Sequence, residues 1–492
     1  MENIITAQTS TTLVGDNSSF ETYLQNGEIE KAKEMMTCNA ERITEARREY
    51  SQFSHDVMRK PDHLKLNPDG SVKELKKTWK IPISFQQYIN EISLVFLYGR
   101  PVKWLQNSEN TDEVFTDFLD IIKRTRFNSK IRQCKRLAGS ETECAMLFRP
   151  YRNKEGKADL QIRVLAQSKG DTIYSRFDEY ENLLAIGWEY YLKDNEETTR
   201  HFNLYTAEKI YYCKSAQSGW EVKQKSNIIG KIPIILFRQN KEWSGAEYLL
   251  NRLEHIISRT ADTNDYFADP IAVVSADIVV NNMLPDKDDS GKLMISKNSD
   301  NVNNAAKYLT WDNAPESKKD EIEWLEEKIH LLTFTPKISL ETLKSISQLS
   351  AKALKTVMLL ADIKASKHKE VHDELLDRVA NLIKSIMANV LLIPKRSQIE
   401  QLDISHEYQE PFGEDIADAI TNITKMYDSE LLSQETAVEL NPLVKNPQKE
   451  IDRLEKAKEG KTKNNPLFQS TARDINPSGN QGLTDDDDDD DE

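Results

Sequence analysis

Apolar positions recur at three- and four-residue spacings between residues 246 and 260. Ala246, Leu249, Leu250, Leu253, Ile256, Ile257 and Thr260 make one stripe on a mostly polar rod. That pattern predicts an amphipathic helix whose stripe needs a partner surface. Ser244 and Glu247 stand at its start with the spacing of a capping box, and Asp269-Pro270 closes it. A second stripe of Ile322, Leu325, Ile329 and Leu332 predicts a helix from Ser317. Residues 337–393 contain neither Gly nor Pro. One helix over 350–393 would run roughly 66 Å at about 1.5 Å per residue, beyond ordinary globular length, so a kink or break is expected.

The period changes between residues 144 and 237. Segments 145–148, 160–165, 185–191, 209–213 and 232–237 are rich in β-branched and aromatic residues or alternate in polarity, which predicts strands. Residues 20–58 read as a charged helix carrying Met35, Met36, Ile43 and Phe53, and 85–97 as an amphipathic helix. An apolar strand at 271–280, turn residues at 285–291 and a short strand at 293–295 predict a small hairpin-rich module. Helices are expected near 415–432 and 447–460, and from Asn464 the chain has the composition of a disordered tail. The fold class is α+β.

Composition narrows the picture. Of 492 residues, 38% are hydrophobic and 30% charged, a polar balance that suits elongated helices. No apolar run approaches the ~18 residues of a membrane span, and the N-terminus lacks a basic region followed by a hydrophobic core, so synthesis and retention in a cytoplasm are expected. Cys38, Cys134, Cys144 and Cys213 form no CxxC pair, which argues against a zinc site or a disulfide framework. The net charge is −15; the run from Asp485 to Glu492 supplies −8, leaving −7 for the body (−15 + 8). A tight duplex binder needs clustered Lys and Arg to displace counterions, so an acidic body argues against one.

Catalytic patterns are poor. GxxxxGK[ST] and GxGxxG are both missing, so the chain offers no phosphate cradle. His368 and His372 share a helical face, but Glu370 sits at neither the HExxH nor the HxxEH position. Ser366-Lys-His-Lys369 matches SxxK without its companion motifs.

Four segments together resemble the portal proteins of tailed double-stranded DNA phages with long non-contractile tails. They are Ile232-Pro233-Ile234-Ile235 with Asn240-Lys241-Glu242 and Phe267-Ala268-Asp269-Pro270; Ile81-Pro82 through Tyr98-Gly99-Arg100-Pro101-Val102; residues 333–370; and Leu431-Leu432-Ser433-Gln434-Glu435-Thr436 with Asn441-Pro442-Leu443-Val444. The resemblance implies an N-terminal α+β wing (1–244), stem helices (245–267 and 317–333) and a small α/β clip (268–316). It further implies a channel or tunnel loop (334–349), a long central helix (350–393), a helical crown (394–463) and, beyond the family core, a disordered acidic tail (464–492). It implies a ring, expected to hold twelve subunits, around a channel at one capsid vertex of the virion. The ring would package, retain and eject DNA, and would dock the large terminase subunit, major capsid and scaffolding proteins and a head-tail adaptor. Neither enzyme activity, metal, cofactor nor membrane is implied. Lys337 and Lys344 become candidate DNA contacts on the loop; Leu249, Leu253, Ile256, Ile257, Ile322, Leu325 and Ile329 become candidates for stem packing or oligomerisation. The rival readings are a metal-dependent nucleic-acid-processing enzyme and a capsid adaptor or scaffold without a channel.

Overall fold

The computed structural model describes residues 17–66, 72–194, 197–217, 219–268, 271–275, 292–296, 306–309, 314–338, 356, 358–409, 416–444 and 447–463. The chain divides into two compact units, Met1–Pro411 and Phe412–Glu492. The first begins with α1 (Asn17–Gln25), α2 (Ile29–Glu34), α3 (Ala40–Tyr50), β1 (His63–Leu66), β2 (Val72–Lys76), α4 (Phe85–Tyr98), β3 (Lys103–Gln106), α5 (Asp112–Arg124) and α6 (Phe127–Glu141). Residues 20–58, expected as one helix, are therefore broken. Gly27, at φ +75°, turns the chain between α1 and α2, a conformation that glycine alone adopts without strain. Thr37 then bridges to Ser175 ahead of α3.

Strands follow: β4 (Glu143–Arg152), β5 (Ala158–Leu165), β6 (Thr172–Phe177), β7 (Leu183–Asp194), β8 (Glu197–Tyr205), β9 (Lys209–Ala216), β10 (Gly219–Ser226) and β11 (Ile234–Arg238). They make a five-stranded sheet in the order β10-β9-β8-β7-β6 and a three-stranded sheet, β11-β4-β5. Side chains alternate across the larger sheet. Phe202, Leu204, Tyr211 and Cys213 meet Phe20, Leu24, Ile29 and Ala32 of α1 and α2, while Ile186, Trp188 and Tyr205 meet Ala145, Leu147 and Ile234 of the smaller sheet. The far side of the smaller sheet, with Met146, Phe148, Ile235 and Phe237, joins α4, α5 and α6 in the largest core. With both faces covered, β4 tolerates an unbroken apolar run. The sequence reading has no strand at β6, β8 or β10. Their polar positions, such as Thr198, Thr199 and Arg200 in β8, hide the pattern, and pairing with neighbouring strands decides their state.

The chain continues through α7 (Glu247–Ala268), β12 (Ile271–Ser275), β13 (Lys292–Ser296), β14 (Ala306–Leu309), α8 (Ala314–Leu332), α9 (Leu359–Ile386), α10 (Arg396–Gln401) and β15 (Ile404–Glu407). Between α7 and α8 the expected hairpins are replaced. β12 pairs in parallel with β13 and antiparallel with β14, a strand the sequence reading lacks. Parallel neighbours need a long crossover rather than a tight turn. Of the strand foreseen over 271–280, the described part ends at Ser275.

The 28 residues of α9 span about 42 Å at 1.5 Å per residue. Its buried face carries Ala361, Ala365, His372, Leu376, Val379, Ile383 and Ile386. The helix then widens into a π-helical turn at Met387–Leu391, ahead of Pro394. The helix expected over 350–393 is thus broken at its C-terminal end, and residues 350–355 lie outside the described residues, as do 339–349 of the expected loop.

The segment expected as a crown, 394–463, divides between the two units. Strand β15 pairs with β3, and Ile399 and Leu402 lie in the largest core, so residues up to 411 belong to the first unit. The second unit holds α11 (Ile416–Asp428), α12 (Gln434–Leu440) and α13 (Pro447–Lys463). Ser433 caps α12, its side chain accepting from Thr436 N. The acidic tail lies outside the described residues.

Candidate functional site

Helices α7 and α8 pack side by side. Leu250, Leu253, Ile256, Leu325 and Ile329 are buried in one cluster with Ile89 and Trp243, and Leu249, Ile257 and Ile322 pack partly covered against it. The stripe that needed a partner finds it in the same chain: Leu253 is 0% exposed. Arg252 pairs with Glu321 at 2.7 Å across the seam, and Lys318 Nζ donates to Thr263 Oγ1. Exposed on the pair are Tyr248 (90%), Trp324 (52%), Leu331 and Leu332. At the start of α7 the capping box is not formed as the spacing suggested. The helix begins at Glu247, whose carboxylate accepts from Gly245 N at 2.8 Å, and Leu250 N donates to the carbonyl of Ala246.

A strap formed by residues 79–83 anchors α7 to the body. Trp79 N donates to Asp262, Ile81 N to Ser258 Oγ and Ile83 N to Glu254 Oε1. Glu254 also holds His55 Nδ1 at 2.7 Å, while His55 Nε2 lies 2.7 Å from the carbonyl of Glu49. Burial works to lower the His55 pKa. The Glu254 hydrogen bond and charge, with the Glu49 carbonyl, outweigh it and raise it.

Beyond α8 the chain turns sharply and is tied down. Thr333 and Thr335 are buried, His330 Nδ1 meets the Thr335 carbonyl at 3.1 Å, and Phe334 adopts φ +51°. Tyr88 of α4 donates its hydroxyl to Pro336 O at 2.7 Å and accepts from Ile338 N at 3.3 Å. Lys367 of α9 places its ammonium 4.0 Å from the Phe334 ring centre. Lys337, the first candidate DNA contact, is 54% exposed at its side chain and reaches back to Glu326 at 2.7 Å. Lys344 lies outside the described residues.

Between this turn and the sheet sits a buried charge cluster. Glu242, in the polar turn after β11, is fully enclosed. Its carboxylate meets Lys135 of α6, Lys364 of α9 at 2.8 Å, His368 of α9 at 3.2 Å and Gln239 Nε2 at 2.7 Å. Lys364 also donates to the Glu242 carbonyl at 3.0 Å. Burial would raise the Glu242 carboxyl, but Lys135, Lys364 and His368 hold it well below the usual carboxylate range. Burial lowers both His368 and His372, the latter strongly; His372 rests 2.9 Å from the Tyr98 hydroxyl. Gly139 lets α6 approach, since a Cβ there would overlap Asn90 Oδ1 and lie 2.8 Å from Glu242 Cγ.

The two imidazoles singled out for their spacing thus serve this cluster and Tyr98. Among the described residues no group of three or more His, Cys, Asp or Glu has an arrangement suited to a metal ion. What the arrangement does chemically is hold charge in place: Glu242 joins α6, the turn before α7 and the first half of α9. Sequence reasoning missed it, although Lys364, His368 and His372 at four-residue steps on an apolar helix face were a readable signal.

A family described as Phage portal protein, SPP1 Gp6-like, matches residues 29–464. No curated protein matches the chain.

Proposed function

The chain belongs to the SPP1 Gp6-like phage portal protein family, and from that premise we propose that it assembles into a ring, with twelve copies the expected number, around an axial channel at one capsid vertex. The observation that carries this reading is the match over residues 29–464, which takes in nearly all the described elements of both units. The channel serves packaging, retention and ejection of DNA. The ring is also the docking point for the large terminase subunit, the capsid and scaffolding proteins and the head-tail adaptor. Its role is conduction and gating rather than catalysis.

Helices α7 and α8 are the stem in this reading, and the β12 to β14 sheet is the clip. Lys337 and Lys344 are the candidate DNA contacts in this reading. Since Leu253, Ile256, Leu325 and Ile329 are occupied within one chain, contacts between copies fall to the outer side chains, Tyr248, Trp324 and Leu331 first. Such head-to-tail contacts close into a ring when the rotation between copies closes.

Light scattering combined with negative-stain images of the same peak tests the proposal. A closed ring with a central hole and a mass near twelve times 56.6 kDa is expected. A compact closed oligomer without a hole overturns it.

A further inference from the structure

The smaller sheet covers one face of the five-stranded sheet only in part. Ala145, Leu147 and Ile234 meet Ile186, Trp188 and Tyr205, and the same face continues outward through β8, β9 and β10. Register fixes which side chains share it. Trp188 stands opposite Asn203, Asn203 opposite Tyr212 and Tyr212 opposite Lys223. In the next row Tyr190 stands opposite His201 and His201 opposite Lys214; on the other side Tyr205 stands opposite Ile210 and Ile210 opposite Lys225.

Two properties coincide on this face. The first is a column of stacked planar groups. The Arg163 guanidinium lies 4.6 Å from the Trp188 ring centre, Trp188 stacks on Tyr190 at 4.2 Å, and Tyr190 stacks on His201 at 5.2 Å and 14°. Thr199 Oγ1 lies 3.0 Å from His201 Nε2 and fixes the ring. Among the described residues no further ring contacts His201, so the column ends there. Burial and the Lys214 charge lower the His201 pKa, which keeps that end a neutral, flat surface near pH 7. Tyr212, 36% exposed, offers a second ring, with Lys225 Nζ 5.6 Å from its centre.

The second property is unbalanced positive charge. Arg149, Lys214, Lys223 and Lys225 are exposed, and among the described residues none of them is in an ion pair. Arg149 stands on β4 two residues beyond Leu147. Burial raises the Tyr205 and Tyr212 hydroxyls, and the Arg149 charge, near both, opposes it. Glu221, opposite Lys214, is the acid that register places among them. This patch stands on a chain whose net charge is −15.

Charge alone would suit any polyanion, and the rings narrow the choice. A duplex keeps its base faces inside its own stack, and an acidic peptide has none. A single strand presents phosphates and free base faces together. We propose that this face binds single-stranded nucleic acid, with bases stacking on His201 and Tyr212 and phosphates meeting Arg149, Lys214, Lys223 and Lys225. The site lies on other elements than the channel reading uses and does not rest on it.

The test is fluorescence anisotropy of a labelled oligothymidylate of about fifteen nucleotides, titrated with the full chain, with a duplex of the same length and polyglutamate as unlabelled competitors. Saturable binding of the single strand is expected, and either competitor should need about tenfold more charge than unlabelled single strand to displace it. Tyr212→Leu, which keeps an apolar side chain, should weaken binding about fivefold to a hundredfold, the loss of one contact between base and ring. Arg149→Gln and Lys225→Gln should each lower the slope of log affinity against log salt by about 0.7, one phosphate contact on a single strand. All three side chains are exposed, so the melting temperature should hold; if Tyr212→Leu fails to fold, the two glutamine variants still decide. Displacement by duplex or by polyglutamate as effective as by single strand overturns the proposal, in favour of a surface for phosphates or for acidic peptides. Absence of binding, or binding that all three variants leave unchanged, overturns it as well. None of these outcomes depends on whether a ring is seen.

Discussion

The first unit buries a histidine against a glutamate twice, and the two sites charge in opposite directions. His55 has both ring nitrogens on oxygens, Glu254 and the Glu49 carbonyl, and its pKa is raised. His368 approaches Glu242 at 3.2 Å, yet its pKa is lowered. Both carboxylates are almost fully enclosed, so burial of the acid does not separate them. The difference lies in what else the carboxylate serves. Glu254 meets no other cationic side chain among the described residues, whereas Glu242 already faces two ammonium groups, Lys135 and Lys364. A third positive charge there would add to an existing excess, and burial then decides for the neutral ring.

The strongest way to break this comparison is Glu242→Gln. It leaves two enclosed lysines without their counter-charge and should cost about 3–5 kcal/mol, read as a fall in the denaturation midpoint. A loss under about 1 kcal/mol would mean that the cluster relaxes by admitting solvent.

Glu254→Gln should cost less, about 1.5–3 kcal/mol, because the amide oxygen can still accept from Ile83 N. It should also bring the His55 titration down, measurable by NMR of the imidazole.

The pH dependence sharpens the contrast further. A raised folded pKa at His55 gives stability that is whole below the unfolded value near 6.5 and lost as pH rises through the folded value. Lowered folded values at His368 and His372 give the reverse: stability present above about 6.5 and lost as pH falls towards those values. Urea midpoints between pH 5 and 8 should therefore show two limbs. His55→Gln should flatten the alkaline one, and His368→Gln with His372→Gln the acid one. One substitution flattening both limbs would refute independent sites. The smallest effect belongs to Lys337→Ala, whose exposed pair with Glu326 is worth about 0–1 kcal/mol. Stability should hardly move, so a packaging defect in that variant would report on DNA contact alone.

Much of the first unit was legible because its helices bury one stripe: Ile322, Leu325 and Ile329 announced α8, and Leu250, Leu253 and Ile256 announced α7. Strands with one polar face were legible where β-branched residues crowded, as at 160–165, and illegible where pairing rather than composition decides, as in β10 with its Lys223 and Lys225. The Glu242 cluster was readable only in the four-residue steps of Lys364, His368 and His372 on one helix face, and its centre was not. Its members stand 107 and 126 residues from the glutamate, at Lys135 and His368, and no local period links them. The His368 and His372 spacing was noticed as a possible metal pair, but the partners that define its role come from α4 and the turn after β11.

The Tyr88 hydroxyl grips the backbone on both sides of Lys337, at Pro336 O and at Ile338 N. Mechanically that is a rivet. Tension reaching Ile338 is carried into α4 by two bonds that share one atom. Replacing Tyr88 with Phe would remove both bonds while keeping the aromatic ring, and would leave Pro336 and Ile338 without that tie to α4.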